Sequence, residues 1–427
     1  MKLNYKRTFF IGLAFLSISA FWQMYDNIVP LILQNSFDLG ETAIGAIMAI
    51  DNVLAVFLLP LIGGLSDKVR TPLGKRTPFI IAGTAVAVAL MMLLPVADQN
   101  TNFWMFITVL AFTLLAMASY RSPAVALMPD LTPKPLRSRA NAIINLMGAV
   151  GGVYTLALIS MLVPDGDRPD YTAVFVGVAF IMVLAVVVLL ITIREKKLSE
   201  QIAAEYPDDE DEDTTTPAAV SGKLPRDVQR SLNLILVSIF LWFTAYNALT
   251  TTFSRYWVTV WGMEGGGYAD CLMVATVAAI ISYVPIGTVS ARIGRKKTII
   301  IGLALMMTSF VSMFFYPTYH FTANIFFAMI GIGWASVSVN SLPMVVEMSK
   351  ASDIGKYTGL YYTFSMSAQI FTPIASGLLI EHISYDTLFP YSIFFTVCAI
   401  VTMMLVKHGD VKPEAKKSLL ENFDVDD

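Results

Sequence analysis

The sequence is short of charge. Asp, Glu, Lys and Arg make up 14% of its 427 residues, whereas soluble domains carry roughly 25%. That is too little charge to cover a water-facing surface, so a soluble globular protein is excluded. Cysteine is scarcer still. Cys271 and Cys398 lie far apart in apolar segments, which rules out a disulfide framework or a cysteine metal cluster. The three histidines, His320, His382 and His408, are scattered near loops and the tail. With no Walker P-loop, no metal-ligand spacing and no nucleophile constellation, neither an enzyme nor a cofactor or metal is expected. The net charge of −3 carries little information about partners, since six consecutive acids, Asp208 to Asp213, supply much of the negative side. No nucleic-acid partner is expected.

Apolar residues are abundant, at 56% of the chain with a mean hydropathy of +0.65. Stretches of about 20 apolar residues can cross a bilayer, and twelve are found: 9–33, 42–65, 78–96, 102–128, 140–163, 171–193, 231–253, 268–289, 298–316, 320–347, 357–380 and 388–407. The N-terminus, with Lys2, Lys6 and Arg7 before "SISA", mimics a signal peptide. Its apolar run continues to Leu33, too long for such a segment, and reads as a retained first span. With the N-terminus placed inside, 26 of the 29 Lys and Arg residues fall in inside segments. Arg168 and Arg255 fall in outside loops and Arg121 within a span. Positive loops stay cytoplasmic, so both termini are expected in the cytoplasm, in the plasma membrane.

Residues 194–230 hold the acid run, "TTTPAAVSG" and Pro225, and read as a mobile linker. The expected organisation is therefore a six-span bundle over 1–193, a cytoplasmic linker over 194–230, a second bundle over 231–407 and a tail over 408–427. The halves repeat. "GGLSDKVRTPLGKRTPFIIAG" follows the second span and "GTVSARIGRKKTIIIG" the eighth. Gly63 matches Gly287, Ser66 matches Ser290, Gly74-Lys75-Arg76 matches Gly294-Arg295-Lys296, and Pro123 matches Pro343. Structural repeats of this kind underlie many secondary transporters. The fold class is an all-α membrane protein of twelve transmembrane helices in two pseudo-symmetric six-helix bundles.

Polarity is distributed with a period of three spans. Spans 3, 6, 9 and 12 are nearly featureless. Span 1 carries Trp22, Gln23, Tyr25, Asp26 and Asn27; span 4 carries Tyr120 and Arg121; span 7 carries Trp242, Tyr246 and Asn247; span 10 carries Trp334, Ser336 and Asn340. A polar group facing lipid is costly, so spans 1, 4, 7 and 10 are expected around a central cavity.

The chain resembles the major facilitator superfamily over essentially its whole length. "GGLSDKVRTPLGKRTPF" is similar to the family's signature between spans 2 and 3, in a longer form similar to that of the glycoside–pentoside–hexuronide:cation symporters and the sucrose carriers. "SPAVALMPDL" followed by "ANAIINLMGAVGG" is similar to the sucrose-carrier stretch after span 4, and "YWVTVWGMEGG" is faintly similar to their segment after span 7. The resemblance implies a secondary carrier working by alternating access. It also implies that Gly63, Ser66, Asp67, Gly74, Lys75 and Arg76, with Gly287, Gly294 and Arg295, form gating loops, Asp67 helping to close the inner side against the other half. There are departures. Where melibiose-type members have sodium-site carboxylates before the span 2 proline, this chain has Leu59 and Ala55 before Pro60. Where they have an aspartate before the span 4 proline, it has Arg121. The sugar-binding arginine of plant sucrose carriers would fall at Val125, one helical turn after Arg121 on the same face.

Arg121 lies about 10 Å from the inner end of its span and leans toward the membrane centre, because helical side chains tilt toward their own N-terminus. A buried arginine stays charged and requires acceptors. The intramembrane acids are Asp26, Asp51 and Glu347. Asp26 leans toward Arg121 and Asp51 away, so Asp26 is the expected partner and proton carrier, with Asp51 as second choice. A solute hydroxyl that bonded Arg121 would loosen the pair and favour protonation of Asp26, and linkage makes the proton favour the solute in return. The expected function is proton-coupled symport of a sugar or glycoside, a disaccharide of sucrose or maltose type, by a monomer. The alternatives are a hexuronide or other solute, or efflux of amphipathic compounds. The expected solute contacts are Trp22, Gln23, Tyr25, Asn27, Arg121, Trp242, Tyr246, Asn247 and Asn340.

Overall fold

The computed structural model describes residues 3–133, 136–166, 168–205, 225–348 and 354–410. Twelve helices among them are long and apolar enough to cross a bilayer. The first six are Tyr5–Asn35, Glu41–Lys68, Thr77–Gln99, Phe103–Asp130, Arg139–Leu162 and Thr172–Thr192. The second six are Arg226–Thr259, Tyr268–Ile293, Arg295–Phe314, Ala323–Val346, Lys356–His382 and Tyr385–Leu405. They are numbered span 1 to span 12. The end of the molecule where span 1 begins and span 12 finishes is called the terminal end, and the opposite one the far end.

Side chains fix several helix ends. Asn4 accepts the Arg7 amide at the start of span 1 and Asn102 the Met105 amide at the start of span 4, satisfying N–H groups that have no helical partner. Span 3 breaks after Met91 and resumes at Leu94, because Pro95 cannot donate to the residue 91 carbonyl and its ring crowds it. Spans 1, 2, 4, 8, 10 and 11 also carry internal prolines; where such groups are freed, neighbouring spans can satisfy them. Beside Pro60, Ser122 of span 4 donates to the Leu59 carbonyl of span 2 at 2.9 Å.

Within the first half, span 1 packs on spans 5 and 6, and span 4 on spans 2 and 3. Within the second half the repeat holds: span 7 packs on spans 11 and 12, and span 10 on spans 8 and 9. Spans 3, 6, 9 and 12 make their main contacts inside their own half and present exposed apolar side chains such as Phe180, Ile191 and Phe394, as outer, lipid-facing helices should. The halves meet where span 2 crosses span 11, span 5 crosses span 8, and span 7 lies against span 1. Close approach requires residues without a Cβ. A Cβ on Gly45 would stand 2.0 Å from the Pro373 carbonyl oxygen, and one on Gly377 2.5 Å from that of Glu41.

Two expectations need correction. Residues 195–205, taken as the start of a mobile linker, form a helix whose Leu198 and Ile202 pack on the core; its charged residues hide this from a hydropathy reading. The acid run 208–213 and the tail from 411 lie outside the described residues. Span 7 runs from Arg226 to Thr259, longer than 231–253, so Arg255 lies inside a helix and not in an outside loop. Hydropathy ended the span at a charge, but the charge is buried and paired.

Candidate functional site

At the far end, charge crosses between the halves. Arg255 of span 7 donates through Nε to Glu41 of span 2 at 2.9 Å, with only 5% and 7% of the two side chains exposed. Tyr385 of span 12 also donates to Glu41, and Gln34 of span 1 donates to the Tyr385 hydroxyl at 2.9 Å. The Glu381 carboxylate of span 11 accepts the Thr42 amide at 2.7 Å. It supplies the helix cap that Gly40 lacks, and does so from the other half. Ser160 donates to Asp270 at 2.6 Å across spans 5 and 8. The far end is therefore closed by a seam of paired polar groups. The sequence reading missed this seam. Its one visible signal was an arginine and a glutamate at span edges, each of which read as a loop residue.

Loops at the terminal end are tied within their own halves. Arg76 joins Asp67, Ser66 and Asp130, the last at 2.8 Å. Glu195 accepts the amides of Lys75, Arg76 and Thr77. The second half repeats the design. Arg295 donates to Glu347 at 2.9 and 2.6 Å, and Asp410 accepts the Lys296 amide at 2.9 Å. Gly74 and Gly294 both hold positive φ, +124° and +96°, which side chains resist. Gly63 and Ser66 join the first clamp, the Gly63 carbonyl accepting from Ser66 at 2.8 Å. Gly287 lies inside the span 8 helix, outside these bonds. Asp67 thus pairs inside its own half, and its side chain remains 59% exposed; the expected contact with the other half is not the one formed here.

Near the middle of span 4, the Arg121 guanidinium carbon lies 5.7 Å from the centre of the Trp22 ring, a cation–π contact. Among the described residues no carboxylate comes within ion-pair distance, 4.0 Å, of this guanidinium. Asp51 and Asp26 are both within its electrostatic reach, as is Tyr362 of span 11. The expected direct Asp26–Arg121 pair is therefore replaced by a looser cluster, with Trp22 beneath the arginine and two acids about it. Asp26 and Asp51 are half-buried, and Asp51 accepts from the Asn52 side chain at 2.9 Å. The helical lean that set Asp51 aside did not allow for the reach of a long arginine side chain.

Among the described residues, buried polar atoms with no protein hydrogen-bond partner include Trp22 Nε1, Tyr25 Oη and Asn27 Oδ1 on span 1, and Trp242 Nε1 and Asn247 Nδ2 on span 7. Trp22 and Tyr25 meet edge to face at 5.4 Å. Tyr246 stacks on Trp334 of span 10 at 3.9 Å and 7°, so Trp334, placed by sequence only in the polar quartet, forms a platform with span 7. Asn27 donates to the Gln23 carbonyl at 2.9 Å. The Gln23 amide faces span 5, where a Cβ on Gly152 would come within 3.4 Å of it. Asn340 is the exception. It is fully buried, donates to the Ser336 carbonyl at 2.9 Å and accepts from Ser290 of span 8. Both its groups have a protein partner, so it ties spans 8 and 10 together. Among the described residues no group of His, Cys, Asp and Glu could hold a metal ion.

Twelve apolar spans in two repeated halves, closed at one end over a polar and aromatic centre, define a multi-pass membrane carrier. The chain matches the family model of the Major Facilitator Superfamily over residues 11–282 and 267–423, and it belongs to that superfamily. It is 30% identical over 158 residues to an uncharacterized symporter of Synechocystis sp. and 33% identical over 113 residues to the sucrose transport protein SUC4 of Arabidopsis thaliana. These stretches cover 34% and 23% of this chain and 29% and 22% of the relatives, so the likeness spans under a third of each relative. Among solved structures, the xylose transporter XylE from E. coli in its inward-open form superposes with a TM-score of 0.68 at 13% identity, covering 98% of both chains. The nucleoside transporter NupG does so at 0.64 and 15%, covering 95% of this chain and 100% of that one. Both similarities concern the fold.

Proposed function

We propose that this transporter carries a neutral sugar or glycoside, a disaccharide being favoured, together with a proton. The observation that carries the reading is the presence, on spans 1, 4 and 7, of Arg121 without a paired carboxylate and of buried polar atoms without protein partners among the described residues. Burying such groups costs free energy unless something bonds them. A hydroxyl-rich solute offers both donors and acceptors, and the Trp22 and Tyr246–Trp334 rings offer faces for its apolar side. Asp26 and Asp51 supply proton acceptors near the cationic group that would bond the solute, so solute and proton can influence one another. The relatives named as a symporter and a sucrose transport protein support the same class.

The carrier works by alternating access. With the far-end seam made, the central site would be reached from the terminal end. Breaking the Glu41–Arg255 seam and rocking the halves would expose the same site to the other side. The positive loops support a cytoplasmic terminal end in the plasma membrane, and the carrier acts as a monomer without a cofactor. The test is uptake of a labelled sugar panel into proteoliposomes with and without an inward proton gradient. Accumulation of one sugar with matching alkalinisation of the bath is expected. Sodium-dependent, pH-independent uptake would defeat the proton reading. Proton exchange driven by amphipathic cations, with no sugar response, would make the protein an exporter.

A further inference from the structure

We propose that the first half carries a binding site for the phosphate of an anionic phospholipid at the terminal end, between the start of span 1 and the end of span 6. A cavity of about 490 Å³ lies there. Lys6 and Arg7 enter it from span 1, and Arg194 and Lys197 from the junction of span 6 with helix 195–205. The polar side chains of Asn4 and Gln201 complete its rim. Its described lining holds four cations and no carboxylate.

The nearby acid is already engaged. Glu195, next to Arg194, turns away and spends both oxygens on the amides of Lys75, Arg76 and Thr77. Among the described residues no carboxylate forms an ion pair with any of the four cations, and the Arg7 Nε is buried without a hydrogen-bond partner. Four like charges converging on one cavity repel one another, and a guanidinium N–H shut away from water requires an acceptor. An anion with several oxygens satisfies both, and the fork of an arginine fits phosphate geometry. The start of span 1 adds the positive end of its helix dipole on the same side.

The anion is a lipid headgroup because of where the cavity opens. Helix 195–205 lies along the bundle with Leu198 and Ile202 on the core, at the level where span 6 ends. Beside the cavity, Ile191 is 75% exposed, Tyr5 49% and Phe9 46%. These apolar side chains suit acyl chains and the interfacial layer, so a phosphate in the cavity would sit at headgroup depth with its tails along spans 1 and 6. Basic pockets on the cytoplasmic side of membrane helices take anionic headgroups. The second half is tied differently at this corner. At its equivalent corner, the start of span 7 is tied to the chain after span 12, with Ser231 bonded to His408 at 3.0 Å and to the Lys407 amide at 3.3 Å. This site is independent of the sugar reading, since neither it nor the helix over it touches the central cluster.

The experiment is native mass spectrometry of the delipidated full-length protein, titrated with phosphatidylglycerol or with phosphatidylcholine. One tightly held phosphatidylglycerol is expected, bound at least ten-fold more strongly than phosphatidylcholine. The triple variant Arg7→Gln, Arg194→Gln, Lys197→Gln should lose it, at about five-fold for each cation. Arg226→Gln, Arg230→Gln, Lys407→Gln, which removes the same charge at the same end of the other half, should keep it. Equal binding of the two lipids by the native protein, or equal loss in both triple variants, would overturn the proposal. Because removing basic residues can disturb insertion, the native protein provides a second readout. Phosphatidylglycerol should raise its thermal midpoint and inorganic phosphate should not compete. Full competition by inorganic phosphate would assign the cavity to a free anion and overturn the lipid assignment.

Discussion

Two of the places where charge lies among the described membrane spans are built differently. At the far end, Arg255 and Glu41 form a bond, Tyr385 adds a second donor, and both charges are nearly inaccessible. At the centre, Arg121 lies over Trp22 with Asp26 and Asp51 nearby and, among the described residues, no carboxylate in contact. A buried pair with satisfied geometry fixes an arrangement, and breaking it by removing one member is strongly destabilising. A buried charge whose partners are held at a distance keeps its capacity to bond something else. The first kind holds the halves together, and the second is the kind that the proposed recognition and coupling requires.

The largest effect is expected at the seam. Arg255→Gln leaves Glu41 buried and unpaired, at a cost of about 3–5 kcal/mol to the far-end-closed form. A cysteine at Ser160, in a background lacking Cys271 and Cys398, should then react much faster with a membrane-impermeant thiol reagent applied at the far end. Adding Glu41→Gln should recover part of that loss, since it removes the stranded charge. Unchanged reactivity in Arg255→Gln would mean that packing alone closes the seam.

Arg121→Lys comes next. Lysine keeps the charge but loses the planar fork, and losing a hydrogen bond to a charged group is worth about 1.5–3 kcal/mol. Solute affinity measured by calorimetry should fall roughly 10- to 150-fold, with the far-end cysteine no more reactive than before. Native-like affinity would return Arg121 to a structural role.

Gly45→Leu probes the seam without touching charge. Its first added atom would stand 2.0 Å from the Pro373 carbonyl oxygen, and overpacking of this kind costs about 1–3 kcal/mol. Far-end labelling should rise, though less than in Arg255→Gln, and solute affinity should stay within a few fold.

The smallest effects are expected at the terminal end, where Glu195→Gln should be the larger of two. The amide keeps one acceptor oxygen for the amides of residues 75–77 but loses the charge, a cost of about 1 kcal/mol. The thermal midpoint should drop by a few degrees with transport preserved. Asp410→Asn, its counterpart in the second half, should act less, because Asp410 accepts one amide where Glu195 accepts three.

The contrast also explains what the sequence could disclose. The twelve spans and the two-fold repeat were legible because hydropathy and matched glycines are local signals. Gly74 and Gly294 both hold positive φ at matched positions of the two halves. Trp22, Tyr25, Asn27, Trp242 and Asn247 were legible because polar residues stand out in apolar helices. The seam was not legible. Arg255 and Glu41 are 214 positions apart, and each lies near a span edge where a charge is ordinary; only the fold brings them together and excludes water. The commitment of Asn340 to Ser290 was hidden for the same reason, since a polar residue on an inner span reads alike whether it faces a neighbour or a solute. The partners of Arg121 were half legible: the acids were identifiable, but which of them the arginine approaches depends on side-chain reach.

The claim that the central charges couple while the seam charges hold is tested most directly with Asp26→Asn in proteoliposomes, by comparing gradient-driven accumulation with solute exchange at equal pH on both sides. The account predicts that accumulation is lost and exchange persists, because exchange needs no net proton transfer. Full accumulation by Asp26→Asn, together with full accumulation by Asp51→Asn, would contradict it.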